Sequence, residues 1–147
     1  MKPRLLAVAV AVAAAAVLCL ACATSRRVVA SLTANCKEVR PGVAFEMMRD
    51  NPNILALDVR HEGEITEGRP RIPRSRNVPL SELPRRYREL DPWKKETIVI
   101  FSRDGADAAS ACEFLARQGF FYVSHVSGGV EAWSRRGYLR VPAGTSE

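Results

Sequence analysis

The chain has 147 residues, 47% of them hydrophobic and 26% charged, with a formal net charge of +6. That length leaves room for one domain with one core of moderate size. The positive excess of the body of the chain is local: Arg69, Arg71, Arg74, Arg76, Arg85, Arg86 and Arg88 face only Glu67, Glu82 and Glu89 between residues 67 and 89. A solvated, arginine-rich loop and helix face is the plain reading; the functional one is a surface for an acidic protein, an anionic lipid or a small anion. No aromatic interleaving and no nucleic-acid motif accompany it, which excludes a nucleic-acid partner.

The first element is a leader. Met1 to Arg4 is short and basic, and every residue from Leu5 to Ala23 is Ala, Val, Leu or Cys. This is the pattern of an export signal, expected over residues 1–23. Leu20-Ala21-Cys22 partly matches a lipoprotein processing site with Cys22 as the acylated residue, although Cys19 stands where a leucine is usual. Ala21-Cys22-Ala23 also fits ordinary signal cleavage, and 19 apolar residues just reach spanning length. Arg26-Arg27 opposes the anchor reading, because it follows the apolar run on the side that would be external. The protein is therefore expected outside the cytoplasm: a periplasmic or outer-membrane-associated lipoprotein first, a secreted protein second. Residues 24–35 read as a tether, the domain as 36–141 and the tail as 142–147.

Within the domain, Pro41 suits the first turn of a helix running to about Arg49, closed by Asn51-Pro52-Asn53. Ile54-Leu55-Ala56-Leu57 is a short apolar run suited to a strand covered on both faces. Arg76 to Pro79 is a weaker strand, and a polar helix is expected from Ser81 to Leu90, ended by Asp91-Pro92. Thr97-Ile98-Val99-Ile100-Phe101 is a buried-type strand. Ser102 to Asp107 turns the chain into a helix reaching Gln118, with Ala108, Cys112, Leu115 and Ala116 on one face and Gly119 just past its end. Tyr122 to Val126 is a further strand, Gly128-Gly129 a tight turn, and Val130 to Arg136 a last helix closed by Gly137. This alternation predicts a single α/β domain, with a mostly parallel central sheet and helices on both faces. Cys36 and Cys112 are the cysteines outside the leader. Cys112 is expected as a small buried hydrophobe, with a Cys36–Cys112 bridge left open.

Across residues 38–141 the chain resembles a rhodanese domain. The family's strand ending in Asp-Val-Arg, with a Glu six residues after the Asp and a Gly four beyond, is matched by Asp58-Val59-Arg60, Glu64 and Gly68. The family's His-Ile-Pro-Gly-Ala segment is lengthened by two residues at Arg69-Pro70-Arg71 and continues Ile72-Pro73-Arg74-Ser75-Arg76-Asn77-Val78-Pro79-Leu80. Gly128-Gly129, Trp133 and Gly137 match the end of the domain. Asp58 and Trp133 are expected in structural roles, Asp58 bonding to neighbouring loops and Trp133 packing beneath the last helix.

The resemblance also locates a site. The family places a cysteine at the end of this strand, followed by a loop of the form Cys-Arg-Ser-Gly-Asn-Arg, whose N–H groups cradle an anion and stabilise the thiolate that carries sulfane sulfur. Here the loop reads Ser102-Arg103-Asp104-Gly105-Ala106-Asp107. A hydroxyl cannot form a persulfide. Asp107 takes the place of the anion-binding arginine, and Asp104 adds a second carboxylate opposing an anionic donor.

A serine hydrolase lacks the G-x-S-x-G pattern, and neither His61 nor His125 has a recognisable catalytic partner. A phosphatase on the same cradle would need the same missing cysteine and arginine. The resulting expectation is an exported rhodanese-like protein that is inactive in sulfur transfer and acts by binding. Its binding residues are Ser102, Arg103, Asp104, Gly105, Ala106 and Asp107, with Asp58 and Arg60. The alternative is an envelope sulfurtransferase using Cys112 or Cys36. No metal or cofactor is expected, and the expected partner is a protein or a small anionic ligand of the envelope. Membrane contact would come through a lipid on Cys22 or through the N-terminal segment.

Overall fold

Five short strands, each followed or preceded by a helical stretch, give the chain its architecture. The computed structural model describes residues 36–66 and 71–138, which lie within one compact unit, Ala34–Glu147. The expected signal (1–23), tether (24–35) and tail (142–147), including Cys22, lie outside the described residues, as do Gly68, Arg69 and Pro70. In chain order the elements are β1 (Cys36–Val39), α1 (Pro41–Asp50), β2 (Leu55–Asp58), α2 (Glu62–Thr66), β3 (Ser75–Asn77) and α3 (Leu83–Arg86), which leads directly into a 3-10 helix (Tyr87–Trp93). They continue with β4 (Thr97–Phe101), α4 (Ala106–Arg117), β5 (Tyr122–Val126) and α5 (Gly129–Arg135). None of the described helices is long and apolar enough to cross a membrane.

The strands form one sheet in the order β1-β5-β4-β2-β3, and every pairing is parallel. β2 is buried at all four positions and β4 at its last four, as their unbroken apolar runs require when helices cover both faces. On one face, Leu57, Ile98, Ile100 and Val123 pack with Leu83, Leu90, Ala111, Cys112 and Leu115. On the other, Ala56, Val99, Phe101 and Val126 pack with Ala44 of α1 and with Val130 and Trp133 of α5. Trp133 stands edge-on to Phe101 at 5.1 Å and also contacts Phe45 and Tyr138. It is a core residue, as expected of it.

Three expectations need correction. The helix expected over 81–90 is one α-turn followed by a 3-10 helix that passes through Pro92 and ends at Trp93. Pro84 stands in the first helical turn, where its missing N–H costs nothing, and Pro92 falls in a short tight helix. The residues of β1 were read only as the start of the domain, yet they form an edge strand paired with β5, Cys36 opposite Val123. That strand explains the third difference. Cys112 is fully buried, but it is not a free thiol: its sulfur is bonded to that of Cys36, with the two Cα atoms 5.5 Å apart.

Candidate functional site

The site loop leaves the sheet at the C-terminal end of β4, in the middle of the sheet. Ser102 follows Phe101 directly and is 1% exposed. Its hydroxyl accepts a hydrogen bond from the Gly105 N–H at 3.0 Å. Gly105 has φ of +102°, and a Cβ there would press on the Gly128 nitrogen at 3.0 Å and the Val126 oxygen at 3.1 Å. The turn therefore needs glycine, both for its left-handed backbone and for the close approach of the 126–128 segment. One residue on, the Ala106 N–H donates to Asp104 Oδ1 at 3.1 Å, so the Asp104 carboxylate caps the start of α4. Two loop N–H groups at the helix entrance are thus held by the chain's own oxygens.

The back of the loop is fixed to α5. Val130 N–H donates to the Ser102 carbonyl at 2.8 Å and Glu131 N–H to the Arg103 carbonyl at 3.1 Å. Gly129 makes this contact possible, since a Cβ on its left-handed backbone (φ +54°) would run into the Ser102 and Arg103 carbonyl oxygens. The outer side is charged. Arg103 is half exposed, 3.9 Å from both Asp104 and Glu131, and Asp107 is exposed in the first turn of α4. The loop surface therefore carries three carboxylates around one guanidinium.

Asp58 and Arg60 stand apart from that surface in character. Both side chains are 1% exposed and they face each other, Arg60 Nη2 to Asp58 Oδ2 at 2.6 Å and Nε to Oδ1 at 2.9 Å. Asp58 also accepts the Arg60 backbone N–H, while Asn77 Nδ2 donates to the carbonyls of Asp58 (2.8 Å) and Arg60 (2.9 Å). This cluster ties the end of β2 to β3. The carboxylate of Asp58 is thus spent on Arg60, two residues away, and the bonds to neighbouring segments come from the backbone. Asn77, absent from the candidate residues, is the side chain that stitches the two strands. Its place in the Asn-Val-Pro-Leu stretch was the available signal.

The other candidates are separate. Cys36 and Cys112 lie in the core of the α4 face, and sulfurs bonded to each other are not nucleophiles. His125 is in β5, and its Nδ1 is buried without a hydrogen-bond partner among the described residues. His61 is exposed and its Nδ1 accepts the Gly63 N–H at 3.3 Å, a local turn contact. Of the arginines between 67 and 89, Arg76 and Arg86 pair with Glu89, and Arg86 also pairs with Glu82. Arg76 lies 5.9 Å from the Trp93 ring centre.

A buried serine at the strand-to-helix turn, a loop clamped to a double-glycine helix start, and a five-stranded parallel sheet together define the comparison to make. The family model of the rhodanese-like domain matches residues 43–136. The chain belongs to the rhodanese-like family. It is 34% identical over 92 residues to a protein of Allochromatium vinosum named sulfurtransferase, covering 63% of this chain and 82% of that one. Among solved structures it is similar to a rhodanese-related protein from Thermoplasma volcanium, with a TM-score of 0.63, 28% identity and coverage of 71% of this chain and 97% of that one. A rhodanese-like domain protein from Staphylococcus aureus shares the fold at a TM-score of 0.56 and 24% identity, over 66% of this chain and 90% of that one. Ser102 stands at the strand-to-helix turn that follows β4 of this fold.

Proposed function

We propose that this rhodanese-like protein does not transfer sulfur and works as a binding module outside the cytoplasm. The observation that carries the reading is Ser102, buried at the head of the loop with its hydroxyl engaged by the Gly105 N–H. An alcohol does not ionise usefully near neutral pH and forms no persulfide. Asp104 reinforces the point, because its carboxylate already occupies the Ala106 N–H at the start of α4. A small anionic donor would meet Asp104, Asp107 and Glu131 beside Arg103, which favours a basic protein surface as the partner. The Cys36–Cys112 bond supports an oxidising compartment, in keeping with the leader, and leaves neither sulfur free to stand in for the missing thiol.

The test is thiocyanate formation from thiosulfate and cyanide, run at high concentration of the full chain. No turnover above buffer is the expected result; clear turnover overturns the binding reading. Capture of partners from envelope extracts with wild type and an Asp104→Lys/Asp107→Lys variant then tests the surface. Unchanged partners would remove the loop from the binding face.

A further inference from the structure

Arg74 is the one described non-glycine residue with a positive φ, +55°. It stands where the rhodanese pattern has the glycine of His-Ile-Pro-Gly-Ala, so a bulky side chain occupies a backbone conformation that favours glycine. Unlike Arg76 and Arg86, Arg74 forms no ion pair among the described residues, and it is exposed. Its surroundings show what the guanidinium is placed against. On the α1/α5 face, away from the Ser102 loop, lies a hollow of about 220 Å³ lined by Phe45, Met48, Arg49, Pro73, Arg74 and Trp133. Four of these six are apolar or aromatic, and both ionisable ones are cations. Arg49 meets the neighbouring Asp50 through Nε alone, which leaves its terminal nitrogens to donate elsewhere.

The hollow does not end there. Met48, Pro73 and Arg74 also line a second hollow of about 590 Å³, which runs past Ile54 and Trp93. Glu96 is the carboxylate on that second wall, so the cationic end of the combined groove is the smaller hollow. An apolar trough with a few convergent polar groups at one end is the usual form of a small-molecule site. Here one end asks for a planar anion that two guanidinia can hold, and Met48, Pro73, Ile54 and Trp93 offer a linear body apolar contact beside Asn53 and Glu96.

We propose that this groove binds a medium-chain alkyl carboxylate, its head between Arg49 and Arg74 and its chain along Met48 and Pro73 into the larger hollow. The site is separate from the Ser102 loop and does not depend on what that loop binds.

The chain's two tryptophans, Trp93 and Trp133, line the two hollows, so intrinsic fluorescence reports on this groove directly. Decanoate is titrated into the full chain, with decanol as the headless control and acetate as the tailless one. The expected result is a saturable change with decanoate and none with acetate. Arg74→Gly suits the left-handed backbone and so keeps the fold; it should weaken decanoate at least tenfold and leave any decanol binding unchanged. Arg74→Lys should lie between the two. The proposal is overturned if decanoate gives no saturable change, if acetate gives the same change, or if Arg74→Gly binds decanoate as wild type does.

Discussion

Cutting the Cys36–Cys112 bond should destabilise the domain by about 2–4 kcal/mol, and the structure allows that figure to be worked out. The two cysteines are 76 residues apart in sequence, so the bond closes a long loop in the unfolded chain. On the chain-entropy account a loop of that size is worth about 4.5 kcal/mol, and residual structure in the unfolded state lowers the measured value. Cys36→Ser is the cleaner perturbation. Cys36 is half buried on the edge strand, whereas Cys112 is fully buried and remains in place as a small hydrophobe, so no cavity is opened. Cys112→Ala should cost about 1 kcal/mol more, through the void left in the α4 face. The assay is equilibrium urea unfolding followed by circular dichroism under non-reducing conditions, with peptide mapping of the wild type for the linked pair. The urea dependence should steepen in Cys36→Ser, because the uncrosslinked chain exposes more surface on unfolding. Stability within about 0.5 kcal/mol of wild type, with no change of slope, would refute the reasoning.

Further outcomes follow from the same geometry. Asp58→Ala removes the carboxylate facing a buried guanidinium and should cost about 3 kcal/mol, read by the same urea titration. Gly129→Ala drives a methyl group into the Ser102 and Arg103 carbonyls and should cost about 2–3 kcal/mol, with faster hydrogen exchange at Val130 and Glu131. Hydrogen bonds from Arg86, and after it Arg76, hold Glu89 below its ordinary value of 4.5. A depressed carboxylate contributes stability that is present above its unfolded value and is lost as pH falls through the folded one. The thermal unfolding temperature should therefore fall on acidification below about pH 4.5, and Glu89→Gln should flatten part of that slope. Ser102→Cys with Asp107→Arg should recover sulfur transfer only in part, measured as thiocyanate formation, because Asp104 still caps Ala106.

The fold was legible where local pattern and tertiary environment agree. Ile98 to Phe101 and Leu55 to Leu57 are unbroken apolar runs, and only a strand covered on both faces accommodates them. The apolar stripe of α4 and the glycine beyond its end likewise mark a helix and its stop without help from elsewhere. β1 was not legible, because four residues of mixed exposure have no period of their own and become a strand only through pairing with β5. The disulfide stayed open at the sequence level for the same reason. Cys112 announced burial by its place on the helix, but the position of Cys36 above it depends on that edge pairing.

The site was legible in its positions and not in its bonds. Sequence spacing put Ser102, Asp104 and Asp107 on one loop, and charge alone argued that an anion would be repelled there. The structure adds hydrogen-bond partners to two of those side chains. Ser102 Oγ takes the Gly105 N–H within the buried turn, and Asp104 Oδ1, on the exposed side, takes the Ala106 N–H at the start of α4. Serine at the head of the loop and the internal hydrogen bonds of the turn therefore go together. Serine supplies an acceptor at the head of the loop and aspartate one at the helix entrance, and each pairs an N–H group of the turn. The surface around the loop presents charge: half-exposed Arg103 from the loop, Asp107 from α4 and Glu131 from α5, with the loop backbone bonded to α5. Those outward charges are what the proposed binding role would rest on, and the Asp104→Lys/Asp107→Lys variant tests them directly.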